Sequence, residues 1–342
     1  MLKVLKALFS GATRADNEPV ALATGFEPVA MHWFDDTRMP LPDWDAIAEA
    51  ERADWTREQR DGFYTAAAGH WLEAMAQSLG GHYRIHASED FLLLSAIEDR
   101  AAVVLLRFCQ SVRRRIVRNL GPVSTSRADG KHVVIVFDTE DEYYDYIAHY
   151  YPEGGEYAMS SGMFVHAGYG HFALFDGEME HMQPTIAHEL AHCLLSHLRI
   201  PAWLNEGMAV NTEHALFPRL ADPRTSLYSP NEIKAKHAAF WNADTIQEFW
   251  SGKSFLRTDD GNMLSYDLAK RITATAARHE ASFFAFLFEA DRDDGGLSAE
   301  HHLGYPLEHL VLVMLGEGDW RPRPDAWREG VEHGQFRGVD AD

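Results

Sequence analysis

His188-Glu189-Leu190-Ala191-His192 narrows what this chain can be more than any other segment, because it asks for a helix and a polar pocket at once. Two histidines four apart on a helix share a face, so both imidazoles can reach one metal ion. Glu189 follows His188 and stands three before His192, beside such an ion but not needed to hold it. That is the place of a general base acting on water at a metal. With thirteen residues between it and His192, Glu206 is the candidate third ligand. Two neutral nitrogens, one carboxylate and an open fourth position describe a catalytic zinc site, whereas a structural one normally closes with cysteines.

The flanking residues supply the helices that this chemistry needs. Pro184 is expected in the first turn of the metal helix, where its missing N–H costs nothing. Ile186, Leu190 and Leu194 recur at helical spacing and bury the face away from the histidines. Pro201 turns the chain, and Trp203 to His214 reads as a second helix returning toward the first, bringing Glu206 with it. A chance H-E-x-x-H string in a chain with 19 histidines would not bring both helices in register.

At these residues the chain resembles the gluzincin metallopeptidases, in particular the bacterial peptidase MA-like group. That group pairs an H-E-x-x-H helix with P-x-W-L-N-E-G-x-A, matched here by Pro201-Ala202-Trp203-Leu204-Asn205-Glu206-Gly207-Met208-Ala209. The resemblance implies that Glu206 is the third zinc ligand, with His188 and His192 the other two, and that the substrate is a peptide or protein. The chain is also similar to aminopeptidase N-type enzymes, which share N-E-G and carry a further acid seven residues on, where Glu213 stands. A carboxylate there can accept the outer N–H of a ligand histidine, fixing its tautomer and raising its basicity. Otherwise Glu213 is a solvated helix acid.

Two departures limit the likeness to the aminopeptidases: a shorter segment between His192 and Glu206, and no G-A-M-E-N motif. Recognition of a free amino terminus is therefore not expected. In place of that motif, residues Ser160 to Phe175 read as two short extended pieces joined by a glycine-rich turn. In zincins generally the strand before the metal helix is a sheet edge that pairs with extended substrate. His166 and His171 lie close by in sequence, but a lone histidine is more often a core or surface residue. The aminopeptidase likeness also implies a tyrosine on a later helix as donor to the developing oxyanion. Tyr266, taken as opening a helix with Leu264, Leu268 and Ile272 on its apolar side, is the candidate, with Tyr228 and Tyr169 as weaker competitors.

Composition frames the site. A net charge of -21 argues against nucleic acid, whose phosphates would be repelled. The one basic run, Arg113, Arg114, Arg115 and Arg118, lies opposite an apolar helix stripe and reads as a solvated face. The 2 cysteines, Cys109 and Cys193, form no disulfide framework and favour a reducing compartment. Lys6 interrupts the apolar run of the first ten residues, so no secretory signal or membrane span is expected, and a cytoplasmic location is the default.

The order of elements completes the expectation. A long helix over 56–79 precedes strands at 82–87 and 91–95, a helix over 97–120, a strand at 132–137 and a tyrosine-rich helix at 140–151. After the hairpin come the two metal helices and then helices alone. The fold class is therefore α+β, a two-lobed zincin-like arrangement with a mixed-sheet lobe before the metal helix and a helical lobe after it. Residues 1–80 read as an N-terminal helical extension, 81–318 as the catalytic domain and 319–342 as a loosely ordered tail. Three functions are compatible: a zinc metallopeptidase, a zinc protein of the same fold acting on non-peptide substrates or only binding, and a structural zinc site. The last is disfavoured because it gives Glu189 no purpose.

Overall fold

The computed structural model describes residues 25–35, 37–124, 129–150, 162–177, 179–218 and 225–328. The first ten residues, Ser160, Ser161 and the tail from 329 onward lie outside the described residues. In chain order, helices α1 (Trp44–Ala48) and α2 (Arg57–Leu79) precede strands β1 (Arg84–Ala87) and β2 (Phe91–Ser95). Helix α3 (Asp99–Leu120), strand β3 (His132–Phe137) and helix α4 (Glu140–Ile147) follow, then strands β4 (Gly162–Val165) and β5 (His171–Phe175). Beyond β5 the described elements are all helical: α5 (Met179–Leu195), α6 (Ala202–Leu216), α7 (Pro230–Phe240), α8 (Thr245–Trp250) and α9 (Asp260–Ala276). Then come α10 (Glu280–Glu289), α11 (Ala299–Leu303), α12 (Leu307–Leu315) and α13 (Pro324–Arg328). The fold is thus mixed α and β, with all described strands ahead of α5. No helix among the described residues is long and apolar enough to cross a membrane.

The five strands among the described residues form one mixed sheet in the order β1-β2-β3-β5-β4. The two inner pairings, β2 with β3 and β3 with β5, are parallel, and an antiparallel partner closes each side. The strand directly before α5, β5, is therefore interior. Among the described strands the edge expected there is held by β4, because the glycine-rich turn folds β4 back against β5. In that turn Gly168 has φ +56°, and a Cβ on it would stand 2.0 Å from the Trp44 ring, so only glycine fits.

Side chains alternate across the strands and divide the interior in two. Val134, Val136, Phe172 and Leu174 face α3, α5 and the later helices. Val133, Ile135, Phe137 and Ala173 face α2 and α4. Every residue of β3 is buried, as a β-branched run covered on both faces must be. Helix α2 begins at a capping box in which Thr56 and Gln59 exchange bonds, and it buries Trp71, Leu72 and Met75 against the sheet. Residues 57–79 thus share a core with the strands.

Three local expectations differ from the structure. Helix α5 starts at Met179, so Pro184 lies inside it and not in its first turn. Helix α1 stands ahead of the first helix named from the sequence, and is started by Asp43, whose side chain accepts from the Ala46 N–H. Residues 319–328 are not loose: Trp320 and Trp327 are buried, and the Trp250 indole donates to the Trp320 carbonyl.

Two of the buried polar groups are histidines on opposite faces of the sheet. His171 places Nδ1 2.8 Å from the Tyr169 carbonyl, so its proton sits there and Nε2 accepts from the Tyr146 hydroxyl at 2.5 Å. His132 sits 3.2 Å from Arg113 Nε and 3.5 Å from Cys193 Sγ. Burial pushes both imidazoles down to about 4, and Arg113 adds to the effect at His132. A histidine kept neutral in the fold but free to protonate when unfolded draws the equilibrium toward the unfolded chain as acid is added. Stability is therefore expected to fall as the pH drops from about 6.5 to about 4, by up to about 1.4 kcal/mol per pH unit for each histidine. Urea unfolding across that range would check it. His171→Gln should flatten the slope by up to one proton's worth, and an unchanged slope would exclude His171 as a source.

Candidate metal centre

Helix α5 is held by its apolar face. Ile186, Leu190 and Leu194 are buried in the larger core, which leaves His188, Glu189 and His192 toward α6 and β4. After α5 the chain turns, and Pro201 caps α6, sending Glu206 back along α5. One ligand atom from each of His188, His192 and Glu206 lies within 4.8 Å of the others, and this is the group among the described residues that could hold a metal ion. Glu206 Oε2 stands 3.3 Å from Nε2 of His188 and 3.5 Å from Nε2 of His192. Although the Glu206 side chain as a whole is only part-buried, that oxygen is shielded from solvent and has no hydrogen-bond partner, which makes it an acceptor suited to a cation.

The far side of each imidazole has a polar neighbour. The Nδ1–H of His192 donates to Oδ1 of Asn205 at 3.0 Å. An amide oxygen only accepts, so in the neutral ring the lone pair is left on Nε2, the atom facing Glu206. Nδ1 of His188 lies 3.4 Å from Oε2 of Glu213, placing that carboxylate at the outer nitrogen where the sequence expected it. Sequence reasoning alone gives Asn205 no role. Its signal was its place directly before the third ligand on a helix antiparallel to α5.

The electrostatics follow from three carboxylates around two imidazoles. Burial opposes the charge on His188, but Glu206 and Glu213 outweigh it and lift that ring to about 9. Burial also opposes charge on His192, which Glu206 raises. Glu206 itself is held well below the usual carboxylate range, because the two imidazoles overcome the cost of burying it. Glu189 behaves oppositely: burial raises its affinity for a proton, and the nearby histidines only partly counter this. Its Oε2 accepts the backbone N–H of Phe164 on β4 at 2.7 Å.

Helix α9 closes the site from a third side. It begins at Asp260, with Asp259 accepting from the Gly261 N–H, so Tyr266 lies in the second turn and not at the helix head. The acidic pair Asp259-Asp260 is the stronger start signal, because it serves the free N–H groups of a first turn. The Tyr266 ring is 6.4 Å from the His188 ring and packs edge-on against Phe255. Tyr169 lies elsewhere: it is buried against Trp44 on the opposite face of the sheet, where its hydroxyl donates to the Lys131 carbonyl. His171 is committed to Tyr146 on that same face, and His166 is exposed.

Gly207 lets α9 come this close. A Cβ there would stand 2.2 Å from Thr273 Oγ1 and 2.6 Å from the Ala269 carbonyl. Asn211 reinforces the contact by donating to the carbonyls of Gly207 and Lys270. On its other side α9 is tied to α7, where His237 meets Asp267 at 2.9 Å, and Arg271, one turn further along α9, donates to the same carboxylate at 2.7 Å. Burial opposes charge on Asp267, yet those partners hold its carboxyl at about 2.

No protein-family model, curated protein or solved structure matches the chain.

The geometry predicts one divalent ion per chain. His192→Ala should abolish tight binding, and Asn205→Ala or Glu213→Ala should weaken it roughly 10- to 100-fold by releasing an imidazole from its orientation. Competition against a chromogenic chelator would measure all three. Wild-type affinity in Asn205→Ala would show that the amide does not orient His192. Ligand histidines must be neutral to bind, and without an ion the His188 ring keeps its proton up to about 9, so affinity should fall as the pH drops below about 9.

Proposed function

We propose that this chain is a zinc-dependent metallopeptidase of the gluzincin kind, hydrolysing peptide bonds in a peptide or protein substrate. The observation that carries the reading is the convergence of His188, His192 and Glu206, with the outer nitrogens of both imidazoles facing polar partners and a buried carboxylate, Glu189, alongside. The separations of 3.3 and 3.5 Å support it. Ligand atoms about 2.0–2.1 Å from a tetrahedral zinc stand about 3.4 Å apart. The donor set also favours zinc over calcium or magnesium, which prefer oxygen alone. Strands before the metal helix and helices after it agree with the two-lobed zincin layout. The net charge of -21 disfavours nucleic acid as a partner, and a cytoplasmic location is carried as part of this proposal.

Zinc bound here would supply Lewis acidity, polarising a substrate carbonyl and easing the ionisation of water. The chain's own groups account for the rest. Glu189 is buried beside the ligands with its proton affinity raised, which suits a group that takes a proton from water and passes it to the leaving amine. Asn205 and Glu213 keep the two imidazoles aimed. Tyr266 is assigned to donate its hydroxyl to the oxygen that gains negative charge, a contribution of roughly 3 kcal/mol in comparable sites. The edge strand β4 is assigned to take the substrate by strand addition.

Incubation of the zinc-loaded protein with a diverse peptide mixture, with cuts read by mass spectrometry, tests the proposal. Stoichiometric zinc without any cleavage would turn the reading to a zinc-binding protein of other purpose. Glu189→Gln should abolish hydrolysis yet keep one zinc, whereas Glu206→Gln should weaken both. Equal loss of zinc in the two variants would undo that division of roles. Tyr266→Phe should lower kcat by about a hundredfold with KM little changed, since its bond forms mainly in the transition state. Unchanged turnover would remove Tyr266 from the mechanism.

A further inference from the structure

Glu189 does not stand free in the pocket. In the antiparallel pair, Phe164 of β4 lies opposite Phe172 of β5, yet its N–H leaves the sheet and bonds Glu189 Oε2 at 2.7 Å. In an antiparallel ladder the N–H and C=O of one residue point to the same side. Both polar groups of Phe164 therefore lie along the outer rim of the sheet. A peptide added as a sixth strand would pair with that rim. The position that would receive its carbonyl is already taken by the carboxylate assigned as the base.

We infer that Glu189 and a backbone carbonyl of an extended peptide compete for the Phe164 N–H, so that docking on β4 is what releases Glu189 into the metal pocket. The inference rests on the peptidase reading given above. The exchange breaks one N–H···O bond and makes another, and no covalent bond changes. Its direction is set by two opposed effects. An ionised acceptor binds an N–H about twice as strongly as a neutral one, so the base stays on the rim when no peptide is present. An incoming strand brings several bonds at once and can outbid the carboxylate at this single position. The substrate class follows. It is an extended peptide long enough to lie along β4 as well as across the metal, and not a dipeptide or a helical segment. A ligand too short to reach Phe164 would leave the base tied.

The test uses the full chain without metal, so that nothing is cleaved. Amide exchange followed by NMR should find the Phe164 N–H protected in the wild type and exchanging at least tenfold faster in Glu189→Ala. The N–H groups of Met163 and Val165, which the ladder turns toward β5, should not change. The probe peptide is an octamer of alternating valine and lysine, blocked at both ends and cationic to suit a chain of net charge -21. Glu189→Ala should bind it about tenfold more tightly than the wild type, with protection of Phe164 restored in the complex. Glu189→Gln, whose neutral amide oxygen competes less well, should fall between them, and it carries the comparison alone if the alanine variant does not fold. Equal affinity across the proteins, or an unaltered Phe164 amide in Glu189→Ala, overturns the competition and leaves the peptidase reading standing. Absence of octamer binding in all of them, alongside one zinc per chain, removes the peptide reading and the competition with it.

Discussion

Glu206 is a carboxylate taken out of water with two imidazoles for company, and the arrangement of α5, α6 and α9 serves to make that tolerable. An isolated buried charge costs several kcal/mol, and the cost is recovered only if its partners are held in place. Glu189 and Glu213 add two more acids to the same pocket. With both imidazoles neutral the cluster carries three negative charges, an imbalance that a divalent cation reduces. Without a cation, protons take its place, which is why the His188 ring is lifted to about 9. Helices packed less firmly would relax by letting one carboxylate swing out to water. The buried apolar face of α5 and the close approach of α9 prevent this.

The sheet contributes in a different way. Because β3 and β5 run parallel and are covered on both faces, the end of β5 delivers the chain into α5 from a fixed position. The contact between Cys193 and His132 adds a polar link between α5 and β3 within an otherwise apolar layer. A polar contact of this kind favours one register of a helix over the next, since a shift by one residue would carry the Cys193 thiol away from His132 Nδ1.

Much of this was legible in the residues. The strand at 132–137 and the helices at 57–79 and 99–120 follow from apolar periodicity and capping, and their observed limits differ little from the expected ones. The pairing of His188 with His192 was legible because H-E-x-x-H specifies its own geometry once the helix is granted, and Glu206 joins them in the group that could hold a metal ion. Three things were not legible, each for a physical reason. The interior position of β5 depends on pairing partners far away in sequence, which alternation along one strand cannot reveal. The extent of α5 was misjudged because a proline marks a helix start only by tendency, and in α5 the helix begins five residues before it. Trp320 and Trp327 are anchored by partners some seventy to eighty positions earlier, so a stretch rich in proline and charge gave no hint of order.

The glycine in Asn205-Glu206-Gly207 has a consequence for how this protein could change. Two packed helices usually set their separation through the size of the side chains between them, so a lineage can widen or narrow the gap by small exchanges. At Gly207 that adjustment is already at its limit, since no smaller residue exists. The α6–α9 spacing can only grow by substitution there, and growth would carry the Tyr266 ring away from His188. Diversification of the pocket is therefore confined to side chains reaching in from β4 and the loops, while the helical frame around the ligands stays at one width.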